Sequence, residues 1–115
     1  MSVTLYGIKN CDTVRKARRW MDAQDIDYRF HDCRESELDR ERVQDWVDAK
    51  GWEVVVNKRS TSWKALDVAA RESMDATTAI DAVLAAPTLI KRPVLETENS
   101  LEFGFDASRY ARLLG

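Results

Sequence analysis

Val3-Thr4-Leu5-Tyr6-Gly7-Ile8-Lys9-Asn10-Cys11-Asp12-Thr13-Val14-Arg15-Lys16-Ala17 is the stretch that decides the fold of this chain of 115 residues. Val3 to Tyr6 is β-branched and aromatic, as a half-buried strand requires, and Gly7 opens a short loop that closes at Cys11. Beyond it Val14, Ala17, Trp20 and Met21 share one face at helical spacing, so the order is strand, loop, cysteine, helix. Asp25 to Asp27 breaks the helix, and Tyr28-Arg29-Phe30-His31 alternates as a second strand would. The opening segment is thus a βαβ unit, and its two strands are expected to run parallel.

Working outward, Asp39 is an N-cap, Leu38 and Val43 form a hydrophobic staple around it, Trp46 and Val47 continue the apolar face, and Gly51 stands where a C′ glycine belongs. Trp52, Val54, Val55 and Val56 fit a strand or a short helix, and Trp63-Lys64-Ala65-Leu66 is helical in pattern; helix throughout is the expectation. Asp75 or Thr77 caps a helix with Ala79, Ile80, Val83 and Leu84, which ends before Pro87. Pro93 introduces Val94-Leu95-Glu96, Asn99-Ser100 supplies a turn, Leu101 to Phe105 alternates, and Asp106 caps a final helix bearing Tyr110, Leu113 and Leu114. The pattern is one α/β domain over residues 1–115, with an all-helical insert at residues 37–86. A βαβ start and a ββα end make a four-stranded mixed sheet with helices on its faces, the arrangement of the thioredoxin-like fold.

Composition narrows the function classes. With 44% hydrophobic and 33% charged residues the chain is globular rather than disordered. A formal net charge of −2 gives no global attraction to nucleic acid or an anionic membrane. The start reads as a strand and lacks the features of a signal peptide, and no apolar run approaches a membrane span, so the cytoplasm is the expected compartment. Two cysteines are too few for a disulfide framework, and one histidine leaves no set of metal ligands or His-assisted triad.

The chemistry centres on Cys11. A cysteine that follows a strand and starts a helix faces unpaired backbone N–H groups and the positive end of the helix dipole, which favour thiolate over thiol. Asn10, Asp12 and Thr13 around it are polar, as a surface loop is and a core strand is not. Cys33 ends the second strand, where it is either a passive thiol or a resolving partner for Cys11. His31 alternates with that strand and lacks a sequence partner for general-base work, and Arg15-Lys16-Arg18-Arg19 reads as a solvated face open to an acidic ligand.

The stretch around Cys11 resembles the arsenate reductase (ArsC) family, and its YffB-like branch above all. Further matching stretches follow in order: Ile26 to Asp32, Gly51-Trp52-Glu53, Asn57-Lys58-Arg59-Ser60-Thr61-Ser62-Trp63, Ile90-Lys91-Arg92-Pro93 and Gly104-Phe105. The resemblance implies a thioredoxin-like fold with a helical insert, one nucleophilic cysteine in the first loop, and activity linked to glutathione or a related thiol. It matches Arg59 and Arg92 to the family's two functional arginines, and Pro93 to the proline held in cis beside the active cysteine. Paired guanidiniums would stabilise a thiolate and hold an oxyanion or carboxylate through bidentate hydrogen bonds. Asn10, Asp12, Thr13, Val14, Arg92 and Pro93 are the expected glutathione- or substrate-binding residues.

The departures redirect the chemistry. Arsenate reductases of the family carry a histidine where this chain has Gly7, and a third arginine near the last strand, where it has Gly104-Phe105. A doubly charged arsenate would therefore be less well compensated. The regulator branch, Spx-like proteins, often has a CxxC in this loop, but the residue three after Cys11 is Val14, which rules out a dithiol switch there. The expected function is a glutathione-dependent monothiol reductase acting through Cys11, with glutathione as co-substrate and no tightly bound cofactor. An Spx-like protein-binding module and a weak arsenate reductase are the alternatives. The expected partners are glutathione or a small thiol and an oxidised protein or small oxyanion, with no nucleic acid, no membrane and a monomeric state.

Overall fold

The computed structural model describes residues 2–114, which form two compact units, residues 2–36 with 92–114, and residues 37–91. In the first unit β1 (Val3–Gly7), α1 (Asp12–Ala23) and β2 (Arg29–Asp32) make the expected βαβ, with β1 and β2 parallel from Thr4↔Arg29 to Gly7↔Asp32. Asp25 ends the turn after α1 in the left-handed region, φ 55°, which a short polar side chain tolerates better than most. The chain returns as β3 (Val94–Thr97) and β4 (Leu101–Phe103), an antiparallel hairpin whose first strand lies against β1, giving the sheet order β2-β1-β3-β4. Helix α7 (Ala107–Leu114) comes last, and the Asp106 carboxylate accepts the Arg109 N–H at 3.0 Å as its cap.

Val3, Leu5, Ala17, Met21, Leu95 and Tyr110 form one core cluster, so α1 and α7 pack on the same side of the sheet. Trp20 and Phe105 close this cluster with ring centroids 6.0 and 5.0 Å from Tyr110, near-perpendicular in both cases. The Tyr110 hydroxyl donates to the Gly104 carbonyl at 2.8 Å, and its burial pushes the phenol well above the ordinary tyrosine value.

The second unit holds α2 (Arg40–Lys50), α3 (Trp52–Val55), α4 (Thr61–Ala65), α5 (Val68–Glu72), α6 (Ala76–Ala85) and a 3₁₀ turn at Pro87–Leu89. Its core is Val43, Trp46, Val55, Ile80, Val83, Leu89 and Ile90, all essentially inaccessible to solvent. Gly51 ends α2 with φ 87°, and Asp75 and Thr78 form a reciprocal capping box at the start of α6. Asp39 occupies the N-cap position of α2 without a side-chain capping bond. The expectation of an all-helical segment needs one correction: Val56 leaves α3 in an extended conformation and pairs with Ile90 across an antiparallel bridge. A three-valine run carries strong β propensity, and the partner that satisfies it lies far along the chain.

Candidate active site

The site begins with a close approach. A Cβ on Gly7 would lie 2.8 and 3.0 Å from the two methyls of Val14, a residue with no accessible surface, so the end of β1 can pass under the first turn of α1 only as glycine. Ile8 then turns inward, Lys9 and Asn10 are exposed, and the loop closes with the Cys11 N–H donating to the Ile8 carbonyl at 3.2 Å.

Cys11 is the N-cap of α1, with extended backbone (φ −99°, ψ 124°), and its carbonyl accepts the first helical bond from Arg15 at 2.9 Å. The thiol is free and half-buried, and no side chain caps this helix. The N-cap position lies next to the unpaired N–H groups of the first helical turn, although the Cys11 side chain makes no capping hydrogen bond to them. Asn10, Asp12 and Thr13 are exposed around it, whereas the Val14 side chain faces the core, so Val14 can serve a ligand only through its amide. Asp12 pairs with Arg15 on the surface.

The same end of the sheet carries Arg92 and Pro93, because the last residues of β1 pair with the first of β3 at Tyr6↔Val94. The Arg92–Pro93 peptide bond is cis, as the family resemblance implies, and Gly104 donates to the Pro93 carbonyl at 2.8 Å. Arg92 is half-buried, and among the described residues its Nε is buried without a hydrogen-bond partner. Its positive charge is felt at Cys33. Arg59 belongs to the other unit, exposed in the turn after Asn57, where its N–H donates to the Asn57 side-chain oxygen at 3.0 Å. Bonds from Asn57 N–H to Leu89 (2.7 Å) and from Lys91 N–H to Val55 (2.9 Å) anchor that turn.

Cys33 and the first loop meet at the Gly7 carbonyl, which accepts the Cys33 N–H at 2.9 Å. The Cys33 thiol is only 4% exposed; burial above all, then the neighbouring Asp32 carboxylate, pushes it up to about 11, against a smaller opposing pull from Arg92. Such a sulfur is a poor nucleophile and an unsuitable resolver. His31 stacks obliquely on Tyr6, centroids 5.0 Å apart, and sets Nε2 3.3 Å from the Ser36 carbonyl. The basic face of α1 is only partly solvated, since the Arg18 guanidinium lies over Phe30 at 4.1 Å and donates to the Tyr28 hydroxyl at 3.3 Å.

Sequence reasoning passed over Asp32. Its carboxylate is 8% exposed and accepts the N–H groups of Arg34 (2.8 Å) and Glu35 (3.3 Å). Burial alone would raise its pKa, but the N–H groups of Arg34 and Glu35, with the polar backbone and the charge of Lys9 nearby, outweigh it and hold the carboxyl below the usual range. An aspartate closing a strand just before polar residues is an Asx-turn signal, and that much was legible. Gly104-Phe105 supplies no third cation: Gly104 sits at φ 89°, which favours glycine, and Phe105 packs on Tyr110. Among the described residues no three His, Cys, Asp or Glu gather to hold a metal, and no helix is long and apolar enough to cross a membrane.

Known proteins share this arrangement. Residues 6–113 match the ArsC family. An uncharacterized protein of Haemophilus influenzae is 43% identical over 108 residues, 94% of this chain and 95% of its own length. The Global transcriptional regulator Spx of Streptococcus pyogenes is 28% identical over 106 residues, spanning 90% of this chain and 78% of Spx. A solved YffB protein superimposes with a TM-score of 0.95 at 41% identity, covering 99% of this chain and 100% of that one. With a mixed sheet of order β2-β1-β3-β4 and a cysteine at the start of α1, the chain has the thioredoxin-like fold and belongs to the ArsC family, on its YffB-like branch.

Proposed function

We propose that the protein is a glutathione-linked thiol reductase that works through one cysteine. The Cys11 thiolate attacks one sulfur of a mixed disulfide between glutathione and a substrate, forming a protein–glutathione disulfide and expelling the substrate sulfur as a thiolate, which takes up a proton. A second glutathione thiolate then attacks the glutathione sulfur of that adduct, releasing oxidised glutathione and returning Cys11. Overall the mixed disulfide and one added glutathione become the free substrate thiol and oxidised glutathione, and no bound cofactor is needed. Arg92 and Arg59 are assigned to orienting the anionic partner, Asn10, Asp12, Thr13 and the amide of Val14 to lining its path, and Pro93 to turning the backbone of Arg92 outward to pair with its peptide backbone.

The observation that carries this reading is the contrast between a half-exposed Cys11 at a helix start and a buried Cys33 whose thiol is pushed up to about 11. The test is to incubate wild type, Cys11→Ser and Cys33→Ser with oxidised glutathione and weigh the intact proteins. A single adduct on wild type and Cys33→Ser, absent from Cys11→Ser, is expected. An intramolecular disulfide that needs both cysteines would overturn the monothiol scheme.

The Spx relatives favour a second reading, a module that binds a protein partner and uses Cys11 as a sensor or not at all. Glutathione-coupled turnover abolished by Cys11→Ser would sink it. Arsenate reduction is a weaker variant of the first reading, since Gly104-Phe105 supplies no third guanidinium.

A further inference from the structure

We infer that Ser60 is a positioning residue for Arg59: its buried hydroxyl ties the Asn57 carbonyl to the first turn of α4 and so fixes the four-residue turn that carries the arginine. This rests on the proposed role of Arg59 in orienting the anionic partner and adds to it the residue that holds its backbone in place. The turn runs Asn57-Lys58-Arg59-Ser60 and is closed by the Ser60 N–H, which donates to the Asn57 carbonyl at 3.1 Å. The Ser60 hydroxyl donates to the same carbonyl at 2.7 Å and accepts the Trp63 N–H at 3.1 Å as the N-cap of α4. A cap needs only the second of these bonds; the first reaches back across the turn. Ser60 is 9% exposed, so little water competes for either.

The two cations at the tip of this turn are sorted by their surroundings. Lys58 Nζ lies 5.3 and 5.8 Å from the ring centroids of Trp52 and Trp63 and 3.8 Å from the Glu53 carboxylate, so its charge is engaged beside the turn itself. Arg59 is exposed, and among the described residues its guanidinium has no ion pair or hydrogen bond. Its backbone is the part that is held: the Arg59 N–H donates to the Asn57 side chain, and Asn57 is anchored in turn through its own N–H on Leu89. A cation carried on a rigid turn loses less freedom on meeting an anion than one on a loose loop, so each bond that stiffens the turn adds affinity. Without the Ser60 hydroxyl the Asn57 carbonyl keeps one of its two bonds and α4 loses its cap. The turn is then free to fray on the side where Arg59 joins the helix.

The experiment measures glutathione-coupled reduction of the mixed disulfide of glutathione and cysteine by wild type, Ser60→Ala, Arg59→Ala and the double variant, with thermal midpoints recorded alongside. A residue that acts through Arg59 matters only while Arg59 is present. Ser60→Ala should therefore raise KM for the disulfide about threefold or more with kcat within about twofold, yet change KM by less than about 1.5-fold in the Arg59→Ala background. An unchanged KM in folded Ser60→Ala, or the same rise in both backgrounds, overturns the proposal. Nitrogen-15 relaxation of the wild type decides the matter if Ser60→Ala does not fold: an order parameter of about 0.85 at the Arg59 amide is expected, and one below about 0.6 overturns it. Failure of the functional reading is separately visible, as a wild type whose Arg59 amide is rigid, and loosens in folded Ser60→Ala, but which turns over no disulfide.

Discussion

The loop after β1 and the turn after β2 leave the sheet from equivalent places, the ends of two parallel strands paired up to Gly7 and Asp32. Each carries a cysteine within its first few residues, yet the two sulfurs have opposite properties. The first loop runs on long enough for Cys11 to become the N-cap of α1 and half-exposed. The second places Cys33 immediately after the strand, under cover and beside a carboxylate, where ionisation is opposed by both surroundings and charge. Residue type therefore says little about thiol chemistry here; the element into which the strand leads, a helix start or a tight turn, assigns it.

The largest expected effect is on labelling. A thiol pushed up to about 11 is ionised to roughly one part in a thousand at pH 8, and burial bars the reagent besides. Native wild type should take one iodoacetamide group, on Cys11; Cys11→Ser should take essentially none until denaturant is added. Rapid native labelling of Cys33 in that variant would erase the distinction between the two loops.

The contrast was half legible in advance. Strand, loop, cysteine and helix around Cys11 are signalled by neighbouring residues, and so are the breaker at Asp25 to Asp27, the α2 stop at Gly51 and the closing hairpin with Asp106 as cap, because each depends on contacts within a turn or two. Residues 52–72 were harder: α3, α4 and α5 have four or five residues each, too short to nucleate alone, and they exist through local caps at Ser60 and Asp67 and the distant pairing of Val56 with Ile90. At the site the miss was Asp32, whose burial follows from the pairing of β2 with β1 at Gly7, a contact that no neighbouring residue signals. The family resemblance supplied Arg59 and Arg92, since nothing in their immediate surroundings sets them apart from other arginines.

A second test reads the contrast as stability. The folded state holds the Cys33 proton more tightly than the ordinary thiol at 9.0, so this contribution is complete below about pH 9 and is lost as pH rises through about 11. The difference between wild type and Cys33→Ala, followed by urea denaturation, should shrink by at most about 3 kcal/mol over that interval. A difference that stays constant across it would mean that Cys33 ionises as freely as an exposed thiol.

Gly7→Ala should cost about 1–3 kcal/mol, since its Cβ meets both Val14 methyls at or below 3.0 Å and neither side has room to move. Val14→Ala alone opens a cavity, but combined with Gly7→Ala it should cost less than the sum of the two, because the added methyl enters the space the valine leaves. Additive costs would show that the approach of β1 to α1 is not what selects glycine, and would leave the replacement of the family histidine without a packing reason.

The smallest effect concerns the outer of the two ties between the loops. Lys9 and Glu35 are more than half exposed, so water and salt screen their attraction and holding two long side chains together offsets much of the gain. Glu35→Gln should change stability by less than about 1 kcal/mol and leave the Cys11 labelling rate within about twofold of wild type. The inner tie differs because it is made of backbone: the Cys33 N–H donates to the Gly7 carbonyl at 2.9 Å, and no side-chain substitution removes it. If Glu35→Gln instead slowed Cys11 labelling several-fold, the surface pair would be holding the first loop in place and the rate would become sensitive to ionic strength, which a salt titration would reveal.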